Sequence, residues 1–122
     1  MHANAFRGEV RLTLGLETFV LRISLNALAE IQEKLGEEWS SKLTKLFPDA
    51  AVVRTVFRIL LTTPAYRDRE PAYKTLTDVQ AGDILDEAGG IGEGSTIRTA
   101  YWQLLVNAGI AERSSVEAAG LI

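Results

Sequence analysis

The chain contains no cysteine. Disulfide staples, thiolate nucleophiles and the commonest structural zinc sites are excluded together, because each needs sulfur. Its single histidine is His2, so there is little from which to assemble an imidazole-based acid, base or metal centre. His2 itself reads as an exposed terminal residue. No stretch approaches the roughly 20 apolar residues that a bilayer-crossing helix requires. The opening MHANAFRGEV has neither a basic region running into an apolar one nor a small-residue cleavage site. The expectation is neither a secreted precursor nor a membrane protein. Positive charge is also short: thirteen Lys and Arg face sixteen Asp and Glu, a net charge of −3. A bulk field of that sign does not draw phosphate backbones, so nucleic acid is not an expected partner.

What the chain does have is an ordinary globular balance. With 122 residues, 47% hydrophobic and 24% charged, it can build one core without metal or disulfide. We expect a single domain over 1–122, with its core in about 7–109 and a weakly helical tail over 110–122.

In EVRLTL, Val10, Leu12 and Leu14 alternate with Glu9, Arg11 and Thr13, the period of a half-buried strand. After a turn at Gly15, Leu16 and Glu17, TFVLRI alternates again, with Phe19, Leu21 and Ile23 on one face. The two runs predict an antiparallel hairpin. A lone hairpin is marginal in water, so its apolar face needs helices. Ser24 or Asn26 can cap a helix carrying Leu28, Ile31 and Leu35, ended by Gly36. A short helix through Trp39, Leu43, Leu46 and Phe47 stops at Pro48. Asp49 then opens the central helix, whose stripe is Val53, Val56, Phe57, Leu60 and Leu61. Thr77 to Gln80 forms a capping box for a helix running to Gly89 and Gly90. Ser95 caps the last clear helix, with Ile97, Ala100, Tyr101, Leu104, Leu105 and Ala108 as its stripe. The predicted class is α+β and mainly helical: an N-terminal antiparallel β-hairpin packed against about five helices.

Chemistry is sparse along this pattern. Asp78, Asp83, Asp86 and Glu87 read as a solvated acidic face, and Asp78 complements a helix N-terminus. GGIGEG, residues 89–94, has no preceding strand and no following Lys-Ser or Lys-Thr, so it reads as a helix C-cap and linker. Arg54 and Arg58 read as a solvated helix face, and Trp39, Trp102, Phe47 and Phe57 as core or near-core aromatics. No catalytic, cofactor-binding or metal site is expected. The loop 63–76, TPAYRDREPAYKTL, stands apart. It is long, charged and without periodicity, and it carries Tyr66, Arg67, Arg69 and Tyr73, residue types that protein interfaces enrich. These four are the expected partner-binding residues. On exposure alone, deleting 65–73 is expected to weaken binding and spare the fold.

Residues 4–36 resemble the opening of the gene-transfer-agent tail tube or tail assembly chaperone family, small proteins encoded near the tape-measure gene of phage-like clusters. The resemblance lies in Arg7-Gly8-Glu9-Val10, the apolar alternation across a short turn, and Ala27-Leu28-Ala29-Glu30 leading to Leu35-Gly36. It continues more loosely through 50–62 and Thr77-Asp78-Val79 and covers most of 4–108. It departs in the proline-containing loop 63–76 and beyond Gly109. The resemblance implies a tail morphogenesis factor in a bacterial host cytoplasm, or in the tail of a phage-like particle. Such a factor coats the tape-measure protein and recruits tail tube subunits, needs no cofactor, and can self-associate. A structural tail component is the alternative within that class. A small nucleic-acid-binding regulator is the rival outside it, though no helix is basic enough to recommend it, and an enzyme working through Asp and Arg alone ranks below both.

Overall fold

A computed structural model describes residues 7–122, so His2 lies outside the described residues. Among those described, two strands and six helices follow in order: β1 (Val10–Leu14), β2 (Glu17–Leu21), α1 (Leu25–Leu35), α2 (Trp39–Leu43), α3 (Ala50–Thr62), α4 (Asp78–Glu87), α5 (Thr96–Asn107) and α6 (Arg113–Ala118). The α+β, mainly helical architecture is the one the sequence predicts, with one helix more.

The hairpin pairs Val10 with Leu21, Leu12 with Phe19 and Leu14 with Glu17. Its turn is tighter than expected, because Glu17 already belongs to β2 and only Gly15 and Leu16 bridge the strands. Gly15 takes φ 66°, which the first central position of a type II′ turn requires and a side chain resists. Val10, Leu12 and Leu14 are buried while Arg11 and Thr13 are exposed. That buried face lies on α5 and α4.

The helix boundaries follow local chemistry. The Ser24 hydroxyl accepts from the Ala27 N–H at 3.1 Å, and Gly36 closes α1 at φ 81° with its N–H donating to Gln32. Thr77 and Gln80 cap α4 reciprocally, at 3.1 and 2.9 Å. Ser95 accepts from the Arg98 N–H at 3.2 Å. Asp49 occupies the N-cap of α3 with extended backbone but makes no side-chain cap; its carboxylate pairs instead with Lys45 at 3.2 Å. Gly89 and Gly90 do terminate α4, the Gly90 N–H donating to the Leu85 carbonyl at 2.8 Å.

α3 packs between α1 and α4 and is buried on more than one stripe: Val52 and Ile59 join the five expected residues. Phe57, Ile59 and Leu61 are 0% exposed, and burying each such side chain stabilises the fold by roughly 1.5–3 kcal/mol. In α1 Ile31 and Leu35 are buried as expected, but Ala27 joins them in place of Leu28, which is only half-buried. In α5 Trp102 is buried at 2% exposure while Ala108 is exposed.

Two expectations fail. α2 ends at Leu43, and Phe47 is 63% exposed and Leu46 50% exposed instead of entering the core. The tail, in turn, forms α6 and buries Val116, with Leu121 and Ile122 packed partly against the core. The core therefore runs past residue 109. The arginines of α3 are likewise not a free face. Arg58 Nε lies 2.5 Å from Asp78 Oδ1, tying α3 to the start of α4, and the Arg54 stem packs where a Cβ on Gly82 would stand 3.2 Å from its Cδ.

Candidate protein-binding surface

Tyr66 is the hub of a side-chain cluster that gathers arginines from the loop and from both flanks of the hairpin. It sits at the start of a turn in which the Arg69 N–H donates to the Tyr66 carbonyl at 3.1 Å. That turn folds Arg69 back, so that its guanidinium carbon lies 4.9 Å from the Tyr66 ring centroid. Arg22, just past β2, reaches the same ring at 4.4 Å and anchors the loop by donating from Nε to the Ala65 carbonyl at 2.8 Å. Arg7 completes the set at 4.6 Å. Each such cation–ring contact is worth about 0.5–1 kcal/mol where water still reaches it.

The hydroxyl end of Tyr66 is held as firmly as the ring. It donates to Glu9 Oε2, and Glu9 is only 7% exposed. The alternation of β1 predicts Glu9 on the wet side; its burial follows from the loop folding over it. Partial burial is the largest cause holding the Tyr66 pKa above its ordinary value. The hydrogen bond to Glu9 and the negative charge of Glu9 add to it, against the opposing pull of Arg7 and Arg22. At neutral pH Tyr66 is a protonated donor, not a nucleophile. The backbone carbonyl of Glu9 is in turn held by Asn107 Nδ2 at 3.2 Å, and Asn107 Oδ1 accepts from Gln103 Nε2 at 2.7 Å. The cluster thereby rests on α5.

Of the four residues the sequence nominates, the structure joins Tyr66 and Arg69 directly and leaves Arg67 exposed on the same turn. Tyr73 is elsewhere: its ring lies 5.9 Å from that of Phe19, and its N–H donates to the Leu61 carbonyl at 2.8 Å. It packs half-buried against the hairpin. The loop is therefore pinned at Ala65, Tyr66 and Tyr73, and deleting 65–73 would strip packing from β2 and α3 as well as the exposed face. Arg7, Glu9, Arg22 and Asn107 are absent from the sequence-based set. Only their long-range convergence reveals them, Glu9 lying 57 residues from Tyr66.

Beside Tyr66 opens a groove of about 530 Å³, lined by Arg22, Ser24, Leu25, Asn26, Thr63 and Arg67 among others. Leu25 stands 80% exposed at its rim. A second, apolar hollow of about 350 Å³ lies between α5 and α6, lined by Trp102, Val116 and Leu121 with Leu46 at its edge. Among the described residues no group of His, Asp and Glu side chains is placed to hold a metal ion, and no helix is long and apolar enough to cross a membrane. No family model, curated protein or solved structure matches the chain.

Proposed function

We propose that this protein is a tail assembly chaperone of a phage-like particle, a prophage or a gene transfer agent, which binds tape-measure and tail tube proteins through the face around Tyr66. The observation that carries the reading is the arginine-ringed tyrosine beside an open groove with an exposed leucine. Arginine and tyrosine give large contact area with adaptable hydrogen bonding, and an adjacent apolar side chain supplies desolvation. The choice of partners and of a host-cytoplasmic setting in this reading rests on the resemblance of residues 4–36. Coating a long helical protein asks for such a face and for no bound cofactor.

Co-expression with the large coiled-coil protein encoded beside it, followed by affinity capture and sizing, tests the proposal. Co-purification, with the partner soluble only in the presence of this chain, is the expected result. Failure of the two to associate overturns the chaperone reading. Should this chain alone assemble into rings or tubes, it is instead a structural component of the tail.

A further inference from the structure

We propose that the groove beside Tyr66 recognises an acidic peptide segment, one in which carboxylate side chains alternate with an apolar residue. This deepens the chaperone reading by naming the chemistry of the partner, and it rests on that reading only for who supplies the segment.

The argument begins with charge. Arg22 and Arg67 line the groove, and none of its lining residues is Asp or Glu. Arg7 and Arg69 lie against the shared tyrosine ring. Among the described residues the ion pairs are Lys45 with Asp49, Arg58 with Asp78 and Arg113 with Glu117, and none takes in an arginine of this cluster. The neighbouring carboxylates are Glu9, Asp68 and Glu70. Glu9 is buried and accepts the Tyr66 hydroxyl. Glu70 lines, with Arg69, a separate hollow against Thr18 and Phe19. Asp68 is exposed beside Arg67 but does not line the groove. Four arginines stand against three carboxylates here, and the groove's own lining is cationic in a chain whose net charge is −3.

Geometry selects among anions. Guanidinium forks match carboxylates two bonds at a time, and Ser24, Asn26 and Thr63 offer further polar groups along the walls. A lone phosphate would leave Leu25, 80% exposed at the edge, without a role; a peptide carrying an apolar side chain next to its carboxylates covers it. A long polyanion such as duplex DNA feels the field of the whole molecule, which is negative, whereas a short segment feels only the charges within about 8–10 Å.

The test uses the full chain and a fluorescently labelled peptide of three Glu-Glu-Leu repeats, with its Gln-Gln-Leu counterpart and a single-stranded oligonucleotide of equal charge. Expected results are binding of the acidic peptide that weakens as salt is raised, no measurable binding of the glutamine peptide, and amide shifts confined to residues 22–26 and 63–69. Arg67→Glu, at an exposed position, lowers affinity about tenfold or more, while Arg113→Glu leaves it unchanged. Leu25→Ser weakens binding of the leucine-bearing peptide but not of a Glu-Glu-Ser version. Equal binding of the charged and neutral peptides, a footprint elsewhere, unaltered affinity in Arg67→Glu, or tighter binding of the oligonucleotide overturns the proposal. Should Arg67→Glu disturb folding, the wild-type footprint and the leucine variant still decide. Capture of the tape-measure protein by Arg67→Glu as well as by wild type sinks this inference and spares the chaperone reading. Acidic-peptide binding without any tape-measure complex does the reverse.

Discussion

Tyr101 offers the most quantitative check on the core. Its side chain is 1% exposed and its hydroxyl donates to the Leu43 carbonyl at 2.6 Å, joining α5 to the end of α2. Tyr101→Phe keeps the ring, removes one buried hydrogen bond and strips the Leu43 carbonyl of that donor, a cost of about 1–3 kcal/mol. Unfolding entropy of roughly 2.1 cal/mol/K per residue, over 122 residues, converts a 2 kcal/mol loss into a fall of about 8 °C in Tm. The same hydroxyl has a pH signature. Burial holds Tyr101 well above its ordinary 10.0, so the folded state keeps a proton that the unfolded chain gives up. Below about pH 10 both states are protonated and the contribution is whole; above it, wild-type stability falls by roughly 1.4 kcal/mol per pH unit from this group alone. Phenylalanine has no such proton. Urea unfolding, followed by tryptophan fluorescence at intervals from about pH 7 to pH 11, is therefore expected to show a gap between the two proteins that is constant to about pH 9 and narrows beyond pH 10. Equal stability at neutral pH, or a gap that stays constant through the alkaline range, would refute burial of the hydroxyl.

Three further substitutions test other joints. Val116→Ala, at a position 4% exposed, is expected to cost about 2 kcal/mol in chemical denaturation, where an unstructured tail would register nothing. Thr77→Ala removes the capping box of α4 and is expected to cost about 1 kcal/mol, with faster amide exchange in the first turn of that helix as the local readout. Asp78→Asn breaks the contact to Arg58; with the Asp78 side chain 45% exposed, solvent screening limits the loss to roughly 0.5–1 kcal/mol, and the difference from wild type should shrink in concentrated salt.

Features set by neighbours along the chain were legible in the sequence, and features set by distant contacts were not. The hairpin, the Ser24, Thr77 and Ser95 caps and the Gly36 stop all follow from residues within one turn of each other, so pattern alone finds them. Hydrophobicity says that a ring prefers burial but not which contacts the fold offers it, and Phe47 stays 63% exposed. It lies beside Pro48, Val53 and Ile91, with the Arg98 guanidinium 5.1 Å from its ring centroid. The tail looked weak for the converse reason. A six-residue helix has little propensity of its own, and Arg113–Ala118 is stabilised by packing that no local pattern announces. Of the candidate surface, Tyr66, Arg67 and Arg69 could be picked out as interface residue types in an aperiodic loop. Glu9, by contrast, reads as an ordinary outward-facing strand residue, and Arg22 as a solvent-facing residue of the second run, TFVLRI.

The convergence of those missed residues changes what the loop can do. A long polar loop read from composition is a floppy contact element that must be ordered when a partner arrives, at about 0.5–1.5 kcal/mol for each side chain immobilised. Here the ordering is already done. Arg22 holds the Ala65 carbonyl, Glu9 holds the Tyr66 hydroxyl, Asn107 holds the backbone of Glu9, and Tyr73 seats the far end on Phe19 and Leu61. Tyr66 is fixed through Glu9, whose backbone α5 holds in turn, and the guanidinium groups are arranged around it before any ligand is present. What remains adaptable is Arg67 and Leu25, both exposed. A face built this way loses little conformational freedom on binding, so its selectivity for short acidic segments comes from the spacing of charges that the core itself maintains.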